Sequence, residues 1–225
     1  MTKGLCLESR WKSELHWRRT GQQSRSERTQ SALLDAAEEL ILEKGTDATS
    51  IADIAKRAGS SVGAVYHHFK DKTALYYALF HRMTATYEAL NKQASDPKIW
   101  EGATIKDLFR GYLEIVLTTT RENSAAKAAA SAVIADFPEL NAHYCEIQAE
   151  TRKALLTLVM ERRGEIGAPD AENAAAFAID QLSAMLRVFL DATLRPAALA
   201  PLDEDQFVAQ SVELVSRYLE LPLAK

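Results

Sequence analysis

Between Thr49 and Lys72 the chain gathers side chains suited to pairing with a polyanion. Thr49, Ser50, Ser60 and Ser61 carry hydroxyls, Tyr66 and His67 carry polar aromatic tips, and Lys70 and Lys72 carry ammonium groups. Val62, Gly63 and Ala64 stand among them and are compact. Reading DNA needs this mixture: polar and cationic groups meet phosphate oxygens or base edges, while small side chains let a helix backbone approach the groove. Catalysis would need a convergent acid/base or nucleophile set. The chain has no H-E-x-x-H, G-x-S-x-G, Walker-type or paired Glu-x-x-His motif, so an all-α hydrolase or lyase is disfavoured. His67 and His68 are adjacent and point about 100° apart on a helix, which prevents easy ligation of one ion. Cys6 and Cys145 show no metal or redox spacing. Neither a metal nor a cofactor is expected.

Positioning those groups takes two short helices in close succession. Ile51, Ile54, Ala55 and Ala58 fall at the spacing of one apolar face, and Ser50 with Asp53 three residues on marks the helix start. Gly59 suits the left-handed residue that ends a helix, and Ser60 or Ser61 can cap the next one. On that second helix Val62, Val65 and Phe69 lead inward. Gly63, Ala64, Tyr66, His67 and Lys70 occupy its other face. Small Ala55, Ala58 and Gly59 let the pair cross closely, the arrangement of a helix-turn-helix. Ahead of it, Ser26 to Lys44 reads as a bracing helix with Leu33, Ala36, Ala37, Leu40 and Ile41 on one face and Gly45 as terminator. Arg25 and Arg28 near its start suit phosphate contact or plain solvated surface equally.

The run AGSSVGAVYHHFKDKTAL resembles the signature of the TetR family of transcriptional regulators, with Tyr66, Phe69 and Lys72 at the positions of its Tyr-x-x-Phe-x-x-Lys segment. Glu43-Lys44-Gly45 and Ala48-Thr49-Ser50-Ile51 also follow the family's order. The match covers roughly the first quarter to third of the chain. Thr46 stands where the family commonly has an aromatic residue and Ser60 where it commonly has valine. The resemblance implies an all-α fold: a three-helix DNA-binding domain with a helix-turn-helix, then a larger helical domain for ligand binding and dimerisation. It also implies a terminal helix pair that forms a four-helix bundle with a second subunit.

Composition agrees with an all-α class: apolar residues make up 47% of 225, with nine glycines and six prolines. The formal net charge of −4 hides an asymmetry. Residues 1–72 hold 12 Lys/Arg against 10 Asp/Glu, and residues 73–225 hold 15 against 21. The basic surplus therefore sits with the motif, as DNA contact requires. No secretory signal or bilayer-length apolar run is present, so a cytoplasmic protein without a membrane partner is expected. The domains are read as a flexible basic extension over 1–23, a DNA-binding domain over 24–72 and an effector and dimerisation domain over 73–225. The extension, with Trp11 and Trp17 among basic residues, could serve as a minor-groove arm; a flexible terminus or an upstream translation start fits it better.

Asp71 caps a helix running to about Gln93, Ala94 to Ala103 reads as a connector, and further helices span 104–120, 124–136, 138–163, 170–194 and a last one opened by Pro201 and Asp203. Candidates for a mostly apolar effector pocket are Phe109, Tyr112, Val116, Phe137, His143, Tyr144, Phe177, Gln181, Met185 and Phe189; taken singly, each is better read as ordinary core. Candidates for the dimer surface are Leu182, Phe189, Phe207, Val208, Ser211, Leu214, Val215 and Tyr218, at helical spacing. Two such subunits would set their recognition helices about 34 Å apart, in successive major grooves. The expected protein is a homodimeric repressor on a palindromic operator, released when an effector tilts the Asp71–Gln93 helix. On this reading Ser61, Val62, Ala64 and Tyr66 face the groove, while Thr49, Ser50, Lys70 and Lys72 meet phosphates. The alternative is a helical adaptor, or a dimeric regulator with no small-molecule ligand.

Overall fold

The computed structural model describes residues 25–133, 138–191, 194–195 and 198–222. The extension over 1–23 and Phe137 lie outside the described residues, as does the side chain of Arg25. Nine α-helices and no strands are present among the described residues. They are α1 (Arg25–Ala48), α2 (Ile51–Arg57), α3 (Val62–His68), α4 (Lys72–Ala94), α5 (Ile105–Glu122), α6 (Ser124–Val133), α7 (Pro138–Met160), α8 (Ala171–Leu190) and α9 (Glu204–Tyr218). The all-α expectation holds, with the helix ends shifted by a few residues.

These helices belong to two compact units. Among the described residues, those within 25–89 and 120–147 form one, and those within 90–119 and 148–222 form the other. The first thus takes in most of α4 and all of α6, beyond the sequence boundary at residue 72. Its core joins Leu33, Ala37 and Leu40 of α1, Ile54 of α2, Val65 of α3, Leu75 and Phe80 of α4, and Ala126 and Ala129 of α6. The alanines of α6 present little bulk, so α1 lies directly along that helix. Gly45 breaks α1 with φ 81° and ψ 170°, which sends the chain through Thr46 toward α2.

The second unit closes around Leu108, Phe109 and Leu113 of α5, Leu155 and Val159 of α7, Ile179 and Leu182 of α8, and Val212 and Val215 of α9. The expected connector over 94–103 is no plain linker. Pro97–Trp100 forms a 3-10 turn that buries the Trp100 ring over Gly111, where a Cβ would stand 2.4 Å from the indole. The Trp100 indole N–H donates to the Ala94 carbonyl at 2.7 Å. Arg162 donates from Nη2 to the Trp100 carbonyl at 2.7 Å and from Nε to the Ala103 carbonyl at 2.7 Å. One half-buried guanidinium therefore ties down two carbonyls of the turn, that of Trp100 also accepting the Ala103 N–H at 3.0 Å.

Candidate nucleic-acid interface

The interface is built on α2 and α3, and their ends are tightly specified. The Ser50 hydroxyl accepts the Asp53 amide N–H at 3.1 Å and donates to Asp53 Oδ2 at 2.6 Å. Lys44 Nζ reaches the same carboxylate at 2.7 Å. Hydrogen bonding from Lys44, then from Ser50, pulls the Asp53 carboxyl down to about 2. At the other end of α2, Gly59 takes φ 59°. The Ser60 N–H there returns to the Ala55 carbonyl at 2.9 Å and the Gly59 N–H to that of Lys56 at 3.2 Å. That six-to-one and five-to-two pair is a Schellman closure, which requires a left-handed residue where Gly59 sits. Ser61 then caps α3, its Oγ accepting the Ala64 N–H at 3.1 Å. Its hydroxyl proton stays available to a partner.

The two faces of α3 are cleanly divided. Val65 is fully buried and Phe69 nearly so, both against the α1–α4 core. Val62, Gly63, Tyr66 and His67 are exposed and repeat at i, i+3 and i+4, which places them on one stripe, and exposed Lys70 follows just past the helix end, where Phe69 is extended. Tyr66 is 54% exposed and Val62 42%. Val62 was expected to lead inward as well; at the first turn it points past the core, and only its role on the outer stripe fits. Ala64 and Ser60 lie half-buried at the stripe's edge.

Behind α3, three polar clamps fix the scaffold. Arg57 spans Glu43 at 2.7 Å and Glu39 at 2.9 Å on α1. This hydrogen bonding raises the guanidinium above its ordinary value and lowers Glu43 below the usual carboxylate range, chiefly through Arg57 itself. Arg82 of α4 reaches Asp35 at 2.6 Å and Glu38 at 2.7 Å. The Thr46 carbonyl accepts both Lys72 Nζ at 2.7 Å and the Tyr76 hydroxyl at 2.8 Å. Burial, followed by the nearby Asp47, pushes the Tyr76 phenol up to about 12. With threonine at position 46, the loop is anchored by its backbone carbonyl. Tyr76, Arg57 and Lys44 are positioning residues that sequence spacing alone did not reveal, because their partners lie 9 to 30 residues away.

Several expected contacts change in this light. Thr49 is 1% exposed and its hydroxyl donates to the Gly45 carbonyl at 2.7 Å, so that side chain secures the loop and cannot reach a phosphate. The Ser50 hydroxyl is engaged in capping α2. Lys72 is half-buried on the Thr46 carbonyl, with two of its three ammonium hydrogens left over. Lys70 is exposed at the end of the stripe.

The expected effector residues fall in both compact units. Phe109 is fully buried core, Val116 is half-buried, and the Tyr112 hydroxyl is paired with Ser183 Oγ at 3.0 Å. His143 and Tyr144 belong to the other compact unit, beside Glu88 at 3.4 Å and the Tyr87 ring at 6.3 Å. Burial raises the Tyr87 phenol well above its ordinary value. Phe177 and Gln181 point outward, since the inward stripe of α8 is Ala171, Ala174, Ala178, Leu182 and Phe189. Met185 is half-buried. The dimer candidates divide by the same periodicity. Leu182, Phe189, Phe207, Val208, Ser211 and Val215 are buried in the chain's own core and are not available to a partner. Leu214 and Tyr218 are 58% and 49% exposed, and the Tyr218 ring lies tilted beside that of Phe177 with centres 5.4 Å apart. No described helix is long and apolar enough to cross a membrane, and no cluster of metal-ligating side chains occurs among the described residues.

A helix-turn-helix with a polar outward stripe, set in an all-helical chain, defines a DNA-binding regulator. The sequence model described as "Bacterial regulatory proteins, tetR family" matches residues 33–79, which span the core of α1 through the first turns of α4. The chain is 30% identical over 187 residues to the HTH-type transcriptional regulator TtgR of Pseudomonas putida, covering 77% of this chain and 84% of that protein. It is 30% identical over 182 residues to the regulator BetI of Klebsiella pneumoniae, covering 80% and 87%. A tetR-family regulatory protein from Rhodococcus RHA1 shares the fold with TM-score 0.58 at 24% identity, over 89% of this chain and all of that one. NalD of Pseudomonas aeruginosa, described as the secondary repressor of the MexAB-OprM multidrug efflux pump, superposes with TM-score 0.54 at 25% identity, over 86% and 96%. The chain belongs to the tetR family: it is a DNA-binding transcriptional regulator and not an enzyme.

Proposed function

We propose that the protein is a homodimeric repressor that binds a palindromic operator and leaves it when a small, largely apolar effector binds the helical region beyond residue 72. The outward stripe of α3 carries this reading: Ser61, Val62, Gly63, Ala64, Tyr66 and His67 read the groove, and Lys70, with the remaining hydrogens of Lys72, meets phosphate. Residues 24–72 are the DNA-binding part and residues 73–225 the effector and dimerisation part, in the cytoplasm where operator DNA is found. The repressor described for NalD supports the sign of the regulation.

Dimerisation uses the outward faces of α8 and α9. Phe177, Val188, Leu214 and Tyr218 are each about half exposed or more, an apolar patch that a second copy would cover. Effector binding favours a state with α4 tilted, which changes the spacing of the two α3 helices.

The test is anisotropy with the duplex upstream of the protein's own gene across a salt series. Specific binding whose affinity falls steeply with salt, and which is lost when either half-site is scrambled, is expected. Binding without a salt slope, or indifference to the second half-site, overturns the reading.

A further inference from the structure

The Thr46 carbonyl, just past the break at Gly45, meets more donors than it has lone pairs. Lys72 Nζ donates to it at 2.7 Å, the Tyr76 hydroxyl at 2.8 Å and the Thr49 N–H at 3.4 Å. The two short bonds fill an oxygen with two lone pairs, and the turn N–H is left with the long one.

The two short donors differ in freedom. Tyr76 is buried in the core that α1 and α4 share, so packing fixes the direction of its hydroxyl. Burial, then Asp47, pushes its phenol up to about 12, which keeps the hydroxyl a donor at any working pH. Lys72 is half-buried and ends a flexible four-carbon stem. Its ammonium lies 5.5 Å from the centre of the Tyr76 ring, and it opens α4 directly after exposed Lys70 and Asp71. The Asp71 carboxylate beside it is engaged as a cap, accepting the Ala74 N–H at 2.8 Å.

We propose that Tyr76 is the positioning residue that releases Lys72 to DNA: its hydroxyl keeps the Thr46 carbonyl paired while the ammonium swings from that carbonyl to a phosphate. This role rests on the reading of α3 as the DNA-contacting helix. A half-buried carbonyl stripped of its partners loses a hydrogen bond's worth of free energy, so one short donor has to stay. With the phenol present, that donor is Tyr76. With phenylalanine at position 76 the carbonyl depends on Lys72, and an ammonium held there cannot neutralise a phosphate.

Anisotropy across a salt series, with the duplex upstream of the protein's own gene, tests this on the full chain, Tyr76→Phe, Lys72→Met and the double variant. Each neutralised phosphate contributes about 0.9 to the slope of log Kd against log salt, so losing one contact from each of two subunits should lower the slope by roughly 1.8. Tyr76→Phe should therefore bind more weakly at low salt, with a deficit that shrinks about tenfold between roughly 50 and 200 mM. Lys72→Met should lose the same slope, and adding Tyr76→Phe to it should lose no more. Tyr76→Phe keeps the buried ring and Lys72→Met keeps an apolar stem, so both should retain native helix content by circular dichroism. A steep native slope that Tyr76→Phe leaves unchanged, whatever happens to its Tm, makes the hydroxyl merely structural and overturns the proposal. A further fall in slope in the double variant overturns it too. A native chain without a salt slope removes the DNA reading of α3, and this role with it. A second measurement needs no variant: in the native operator complex the Lys72 ammonium should show nitrogen–phosphorus scalar coupling to a phosphate while the Tyr76 hydroxyl proton exchanges slowly. An ammonium without that coupling refutes the swing.

Discussion

Replacing Tyr66 with alanine tests the outward stripe of α3 most directly. The ring is 54% exposed in the middle of a helix whose packing depends on Val65 and Phe69. Truncation leaves no cavity, and alanine is the better helix former, so stability should change by less than about 0.5 kcal/mol. For a chain of this size that is a Tm shift of roughly 2 °C or less. A phenol hydrogen-bonded to a phosphate or base edge contributes about 1–2 kcal/mol, so operator Kd should rise roughly 5- to 30-fold. Anisotropy with operator duplex measures Kd, circular dichroism the Tm, and sedimentation the oligomeric state. Tyr66→Phe separates the hydroxyl from the ring, and Phe69→Ala should instead destabilise the fold by about 3–5 kcal/mol. Unchanged Kd in Tyr66→Ala would show that α3 does not read DNA through this residue. Loss of dimerisation or of fold would show that the ring is structural.

Three further outcomes follow from the geometry. The Asp53 carboxyl should titrate near 2 rather than 3.8, so its contribution to the start of α2 is complete above pH 3.8 and fades as pH falls through about 2. Carbon-detected NMR should show this midpoint rising in Lys44→Ala, and an unshifted midpoint would remove the Lys44 clamp. Gly111→Ala drives a Cβ into the Trp100 ring and should lower stability by about 1–3 kcal/mol in a denaturant titration, with partial rescue by Trp100→Leu. Additive effects of the two substitutions would refute that contact as the cause. Leu214→Asp, on the outer face of α9, should yield a folded monomer by sedimentation with operator affinity lowered at least tenfold; a persisting dimer would place the interface elsewhere.

Local patterning alone determined much of the molecule. The Ser50–Asp53 start, the Gly59 stop and the Ser61 cap are relations among residues within five positions, and each is realised by backbone and short side chains in contact. Helical periodicity likewise marked Leu33, Leu40, Ile54 and Val65 as core. What periodicity could not decide was which of two apolar faces meets the chain's own core. Leu182 and Phe189 turned inward while Phe177 and Val188 turned out, because α8 packs on α5 and α9 through its small-residue side. Distance in sequence hid the rest. The double anchor of Lys72 and Tyr76 on the Thr46 carbonyl joins groups 26 and 30 residues apart. Propensity and capping act over one helical turn, so they specify elements. Which side chains share a clamp is settled only when those elements pack.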